Sequence, residues 1–239
     1  MTDELALAAE IDAQLQQRGA PERAIQERRY LKSELDHYGV SVPGVRAVVK
    51  QVTGRLELDH DHVVELARLL WFEPVHERRA AAAELLEQQV DVLRRDDIDL
   101  LEQLLRESRT WALVDNLAAS VVGPLVEREE TLGEVLDRWA TDPDFWIRRS
   151  ALLAHLIALR QGRGDFDRFA RYADLMLEEK EFFIRKAIGW VLRDTGKLRP
   201  ELVRDWLLPR ASRAAGLTLR EAVKYLPAAQ RAAILAARG

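Results

Sequence analysis

Two segments 37 positions apart repeat one pattern. DFWIRRSALLAHL from Asp144 and EFFIRKAIGWVL from Glu181 both read acid, aromatic, aromatic, Ile, Arg, base. A weaker copy, HERRAAAAELLEQ from His76, lies about two such steps upstream, and TLREAVKYLPAA places Arg220 about one step downstream. A step of this length holds two antiparallel helices and their connections. One such pair cannot bury its apolar face alone, so successive pairs must stack. The repeat therefore predicts an all-α fold, an α-solenoid of HEAT-like antiparallel helix pairs, curved and with a basic concave surface.

The rest of the chain agrees with a helical array. Apolar residues recur at helical spacing, and the breaks fall at short Gly, Pro or Asp clusters with no convincing strand. Helices are expected near 3–17, 22–37, 44–54, 61–72, 76–89, 97–106, 110–122, 131–140, 144–160, 166–178, 182–195, 201–208, 218–225 and 228–237. With 239 residues, 48% of them hydrophobic and 32% charged, the chain can bury one large core. The expectation is one domain over 1–239, its N-terminal helix within 1–20 capping the array.

Composition excludes several classes of chemistry. There is no cysteine, hence no disulfide, thiolate metal site or cysteine nucleophile. The first 20 residues are acidic and amphipathic, unlike a signal peptide, and no stretch has the apolar length of a membrane span. A cytoplasmic protein without a membrane partner is expected. The net charge of −4 means that affinity for phosphate must come from a local concentration of cations.

Register supplies such a concentration. Arg78, Arg79, Arg148, Arg149, Arg185, Lys186 and Arg220 fall at equivalent places of successive second helices and would form a stripe suited to duplex phosphates. The same cations could instead pair with acids of adjoining helices, and both readings are open. One repeat differs. In SRTWALVDNLAASVVG, Val114 sits where Ile147 and Ile184 sit, but Asp115 and Asn116 replace the cations. Trp111 precedes Asp115 by one turn, so an aromatic face and a carboxylate share one side of a helix, an arrangement suited to a cationic guest. Trp190 stands in the same relation to Lys186. Trp71, Trp139, Trp146 and Trp206 are expected in the core.

Other motifs are weak. DHDH at 59–62 has metal-ligand residue types, but it precedes a helix that Asp can cap and lacks further ligands at suitable spacing, so no metal is expected there. Neither a Ser/His/Asp order nor a phosphate-binding glycine pattern is present.

The combination of YLKSELDHYGVSVPGVR, WALVDNLA, FWIRRSALL, EFFIRKAIGWVLRD and TLREAVKYL resembles the DNA alkylation repair family of HEAT-like DNA glycosylases, from about residue 20 to 235. The resemblance implies a monomeric, cytosolic, cofactor-free and metal-free enzyme that hydrolyses the N-glycosidic bond of cationic alkylpurines such as N3-methyladenine and N7-methylguanine in duplex DNA. Carried over by residue, it assigns the catalytic aspartate to Asp115, its paired tryptophan to Trp111 and the second tryptophan to Trp190. The arginine that grips DNA falls on Arg149, with Arg148 one position away as the alternative. Arg185 and Lys186 occupy the matching places of the next repeat, and Tyr30 matches an aromatic that approaches the damaged strand. Thr110 and Ala112 depart from the family pattern, which bears on lesion range and rate. The competing class is a non-catalytic HEAT-like scaffold that binds protein or DNA backbone.

Overall fold

The structure is a computed structural model that describes residues 3–238; the expected domain's ends, residues 1–2 and 239, lie outside the described residues. All regular structure among the described residues is helical apart from an isolated bridge between Asp36 and Val75. Among the described residues, no helix is long and apolar enough to cross a membrane. The chain forms two compact units, 1–117 and 118–239.

In the first unit, Glu4–Gln17 packs against both Val42–Thr53 and His60–Phe72, and the latter two pack on His76–Gln88. His60–Phe72 and His76–Gln88 are joined by three residues, which makes them an antiparallel pair of the HEAT kind. Ile98–Ser108 and His76–Gln88 both support the short helix Trp111–Asn116. Asp59 starts His60–Phe72 by accepting from the His62 N–H at 3.0 Å, so the DHDH run serves as a helix start.

In the second unit, Phe145–Leu153 and Leu156–Arg160 pack on Phe182–Thr195, which in turn packs on Gly216–Ala222. The repeat now has a structural meaning, position by position. Its acid is an N-cap in both copies: Asp144 accepts from the Trp146 N–H at 2.8 Å and Glu181 from the Phe183 N–H at 3.2 Å. Its isoleucines, Ile147 and Ile184, are fully buried, as is Val114 at the corresponding place of the first unit. Gly189 lets Phe182–Thr195 and Gly216–Ala222 approach closely, because a Cβ would lie 2.7 Å from the Glu221 Cβ and 3.1 Å from the Thr218 carbonyl oxygen.

Three expectations need correction. The helix expected over 22–37 is Pro21–Leu31. Lys32 turns left-handed at φ 50° and the Ser33 N–H bonds back to the Arg28 carbonyl, which closes the helix. The next residues bond elsewhere: Tyr38, Gly39 and Val40 donate their backbone N–H groups to the buried Glu77 carboxylate at 2.9, 2.6 and 3.1 Å. The helix expected over 144–160 breaks after Leu153, and the Ala154 carbonyl lies against Gly123, where a Cβ would stand 2.5 Å from that oxygen. Trp71, Trp139 and Trp206 are buried as expected, but Trp146 is half-exposed and packs between Phe145 and Phe183, with ring centroids 4.5 and 4.8 Å away.

His155 lies within the core of the second unit, 7% exposed, beside the rings of Tyr172 and Phe169. Burial lowers its pKa to about 4, with Asp165 opposing and Arg168 reinforcing the shift. Folding therefore favours the neutral imidazole. Its contribution is complete above the ordinary value of 6.5 and is lost as pH falls from there towards 4. The shift corresponds to about 3 kcal/mol across that window. Urea midpoints should fall less steeply between pH 7 and 4.5 in His155→Leu than in the wild type; parallel slopes would contradict this assignment.

Candidate functional site

Trp111 and Asp115 lie on the helix Trp111–Asn116, both half-exposed, while Leu113 and Val114 between them are buried. That split follows from the helical period, which turns 113 and 114 inward and leaves 111 and 115 together at the edge. The Trp111 ring meets Tyr30 edge-on, centroids 5.9 Å apart and planes at 88°. Tyr30 is 71% exposed, so the pair offers aromatic surface to a guest. The first unit thus gathers three of the expected residues, Tyr30, Trp111 and Asp115.

The end of this helix is fixed from outside. Asn116 donates Nδ2–H to Glu87 Oε2 at 2.9 Å, and Glu87 lies 3.7 Å from Arg46, which also holds the buried Glu84 through two bonds of 2.8 and 2.9 Å. The chain then widens into one π-helical turn, Leu117–Val122, a form found often beside functional residues. On the other side of Trp111, Thr110 is buried and borders a cavity of about 400 Å³ together with Lys32, Arg79, Arg109, Glu34 and Glu107. The departure at Thr110 therefore lies beside a charged cavity.

In the second unit, Arg148 and Arg149 lie on Phe145–Leu153, and Arg185, Lys186 and Trp190 lie on Phe182–Thr195. Arg148 forms a two-bonded pair with Glu179 at 3.0 and 2.8 Å and also donates to the Asp142 carbonyl oxygen. Arg149 is 3% exposed, donates to the Phe183 carbonyl oxygen and places its guanidinium 5.8 Å from the Phe183 ring centre. Arg185 donates to the Glu179 carbonyl oxygen at 2.7 Å, and Lys186 lies 3.7 Å from Glu221. Upstream, Arg78 bonds Asp12 and the Leu69 carbonyl oxygen, and Arg79 bonds the Glu107 carbonyl oxygen. The register cations largely satisfy acceptors of their own unit, the reading that the sequence left open beside the phosphate stripe; Arg220 is exposed.

Trp190 is half-exposed and donates Nε1–H to Asp194 Oδ2 at 3.2 Å. Asp194 is 2% exposed and also receives Arg160 at 2.7 Å and Lys197 at 2.9 Å, with Arg193 at 3.4 Å. Burial alone would raise its pKa, but the bonds from Lys197 and Arg160 outweigh this and hold it below the ordinary carboxylate value. The orientation of Trp190 thus rests on an ion-pair cluster. Sequence reasoning missed Asp194, although it follows Trp190 by the same one-turn step that links Trp111 to Asp115. It also missed Asn116 with Glu87, and the Phe145, Trp146 and Phe183 ring group, whose Phe183 lies against Arg149.

A search of curated protein sequences finds no match. Among solved structures, the chain is similar to a predicted DNA alkylation repair enzyme from Enterococcus faecalis, with a TM-score of 0.78 and 23% identity over 88% of this chain and 98% of that one. It is also similar to AlkD2 from Streptococcus mutans, with a TM-score of 0.60 and 16% identity over 87% and 100% of the two chains. The smu.31 protein of Streptococcus mutans UA159 gives a TM-score of 0.59 at 17% identity over 89% and 100%. At these identities the likeness is one of fold, a HEAT-like helical repeat. The family model described as DNA alkylation repair enzyme matches residues 11–226, nearly the whole chain. By that match, this chain belongs to the DNA alkylation repair enzyme family.

Proposed function

We propose that the protein is a monofunctional DNA glycosylase that hydrolyses the N-glycosidic bond of cationic alkylated purines, N3-methyladenine and N7-methylguanine, in duplex DNA as the opening step of base excision repair. It acts as a monomer in the cytoplasm, in contact with the nucleoid. One observation carries this reading: Asp115 and Trp111 share the half-exposed edge of a helix whose Leu113 and Val114 are buried, and Tyr30 extends the aromatic surface.

The chemistry asks for such a site. Alkylation at N3 or N7 puts a positive charge on the purine and makes the base a good leaving group. As the C1′–N bond breaks, its electron pair goes to the base and positive charge develops on the deoxyribose. A carboxylate stabilises that charge and orients or activates the water that adds to C1′. Indole faces favour the cationic lesion and sugar by roughly 0.5–2 kcal/mol each. The base leaves neutral, so no general acid is required and one carboxylate suffices. In this reading Asp115 is the catalytic carboxylate, Trp111 and Trp190 supply aromatic faces, Tyr30 extends the surface beside Trp111, and the cations hold phosphates. Arg149 is buried on the backbone at Phe183, and Arg148 and Arg185 are bonded to internal acceptors, so Lys186 and the exposed Arg220 are the register cations better placed to meet a phosphate in this conformation.

The assay is direct. Purified protein without added metal should release N7-methylguanine and N3-methyladenine from methylated duplex DNA, and should leave neutral lesions in place. Failure to release either cationic base would sink the proposal. The second reading, a non-catalytic HEAT-like scaffold, is favoured by one observation, the commitment of most register cations to internal acceptors. It predicts binding to DNA or protein without base release.

A further inference from the structure

Sequence reasoning expects no metal at 59–62, but folding brings another set of ligand types together in the first unit. Glu27 comes from Pro21–Leu31, His37 from the loop that follows it, and Glu77 from the first turn of His76–Gln88. One ligand atom of each lies within 4.8 Å of the other two. Glu77 is fully buried, and the three backbone N–H groups of Tyr38, Gly39 and Val40 fix its orientation while using three of its roughly four acceptor positions.

The second observation is what these bonds leave over. Glu27 Oε2 and both ring nitrogens of His37 are buried without a hydrogen-bond partner. Native proteins pair nearly all such groups, so a Glu27 oxygen and a His37 nitrogen left over beside Glu77 point to something that both of them bind. His76, 7% exposed, stacks on His37 with centroids 4.6 Å apart and planes at 9°, and its Nδ1 is also without a partner. The stacking fixes the plane in which His37 presents its nitrogens.

We propose that Glu27, His37 and Glu77 form a three-ligand site for one divalent cation of the zinc type. One imidazole and two carboxylates match the donors zinc accepts, whereas magnesium and calcium ask for oxygen shells of six or more. With bonds of about 2.0–2.2 Å, a tetrahedral ion holds its donors about 3.4 Å apart. Reaching that from separations of up to 4.8 Å takes side-chain rotation of Glu27 and a shift of His37 within its stacked plane, while Glu77 stays on its three N–H groups. The ion would clamp the 32–41 loop to the helix that ends beside Tyr30, and so positions that ring. It takes no part in bond cleavage, and base release and metal uptake are separate measurements.

The test is calorimetric titration of chelator-stripped, full-length protein with Zn²⁺. One equivalent should bind, with a rise in thermal midpoint that Mg²⁺ does not reproduce. His37→Ala and the milder Glu27→Gln should each lose the stoichiometric uptake while keeping a helical circular-dichroism spectrum. The partly buried His60 and His62 are the rival ligands, so His60→Ala/His62→Ala should keep the full equivalent. No uptake by the wild type, or undiminished uptake by both His37→Ala and Glu27→Gln, would overturn the proposal. Loss of binding in the His60→Ala/His62→Ala protein alone would place the ion at 59–62 and overturn it equally.

Discussion

Replacement of Asp115 by Asn is expected to slow release of N7-methylguanine from methylated duplex DNA by on the order of 10²–10³-fold, about 2.7–4 kcal/mol of transition-state stabilisation. The amide keeps the size of the carboxylate and removes its charge, so the loss reports electrostatics. Asp115 is half-exposed, and the burial of its helix rests on Leu113 and Val114. Thermal stability and DNA affinity should therefore stay close to wild type while the rate falls. Single-turnover release at saturating enzyme separates the chemical step from binding. A wild-type single-turnover rate in Asp115→Asn would remove Asp115 from the catalytic role. An equal fall in rate and stability would instead mean that the side chain serves the fold.

Asp194→Ala is expected to be the most destabilising of the substitutions considered. Asp194 is 2% exposed and gathers Arg160, Lys197, Arg193 and the Trp190 indole N–H. Removing a buried partner strands the charges that faced it, which costs about 3–5 kcal/mol where the remaining charge is fully buried. Arg160 and Lys197 are 43% and 42% exposed, so water recovers part of the loss and the lower end, about 3 kcal/mol, is expected. Urea denaturation at pH 7 measures it. Asp194→Asn, which keeps an acceptor, should lose less. The sign with pH follows from the depressed carboxylate: this stabilisation is present above the ordinary value of 3.8 and disappears as pH falls through the lower folded-state value. Trp190 fluorescence should change with the alanine variant, because the indole loses its acceptor. A change in stability below about 0.5 kcal/mol would show that the cluster is peripheral.

The candidate residues of the two units differ in how far they were legible. Trp111 and Asp115 could be paired from spacing alone, since residues four apart share a helical face whatever surrounds the helix. Trp190 and Asp194 have the same spacing, but Lys186 lies one turn before Trp190, so spacing alone offers the indole two partners. Tyr30 came only from family resemblance; its contact with Trp111 joins residues far apart in the chain. The arginines were legible as a register and illegible as partners.

The sequence by itself determined the helical class, the repeat and the acids that start the repeated helices, because period, apolar register and N-capping act within a few residues of chain. It also placed Asp115 where its repeat lacks a cation. Tertiary structure alone decided what Arg79, Arg148 and Arg149 bond to, since their acceptors Glu107, Glu179 and Phe183 stand 28 to 34 positions away. It likewise decided where the second helix stops, because the N–H groups of residues 38–40 bond a Glu77 carboxylate up to 39 positions away. The meeting of Glu27, His37 and Glu77 follows from the same stacking. Local sequence fixes which face a side chain occupies, and the packing of one helix on the next decides what that face meets.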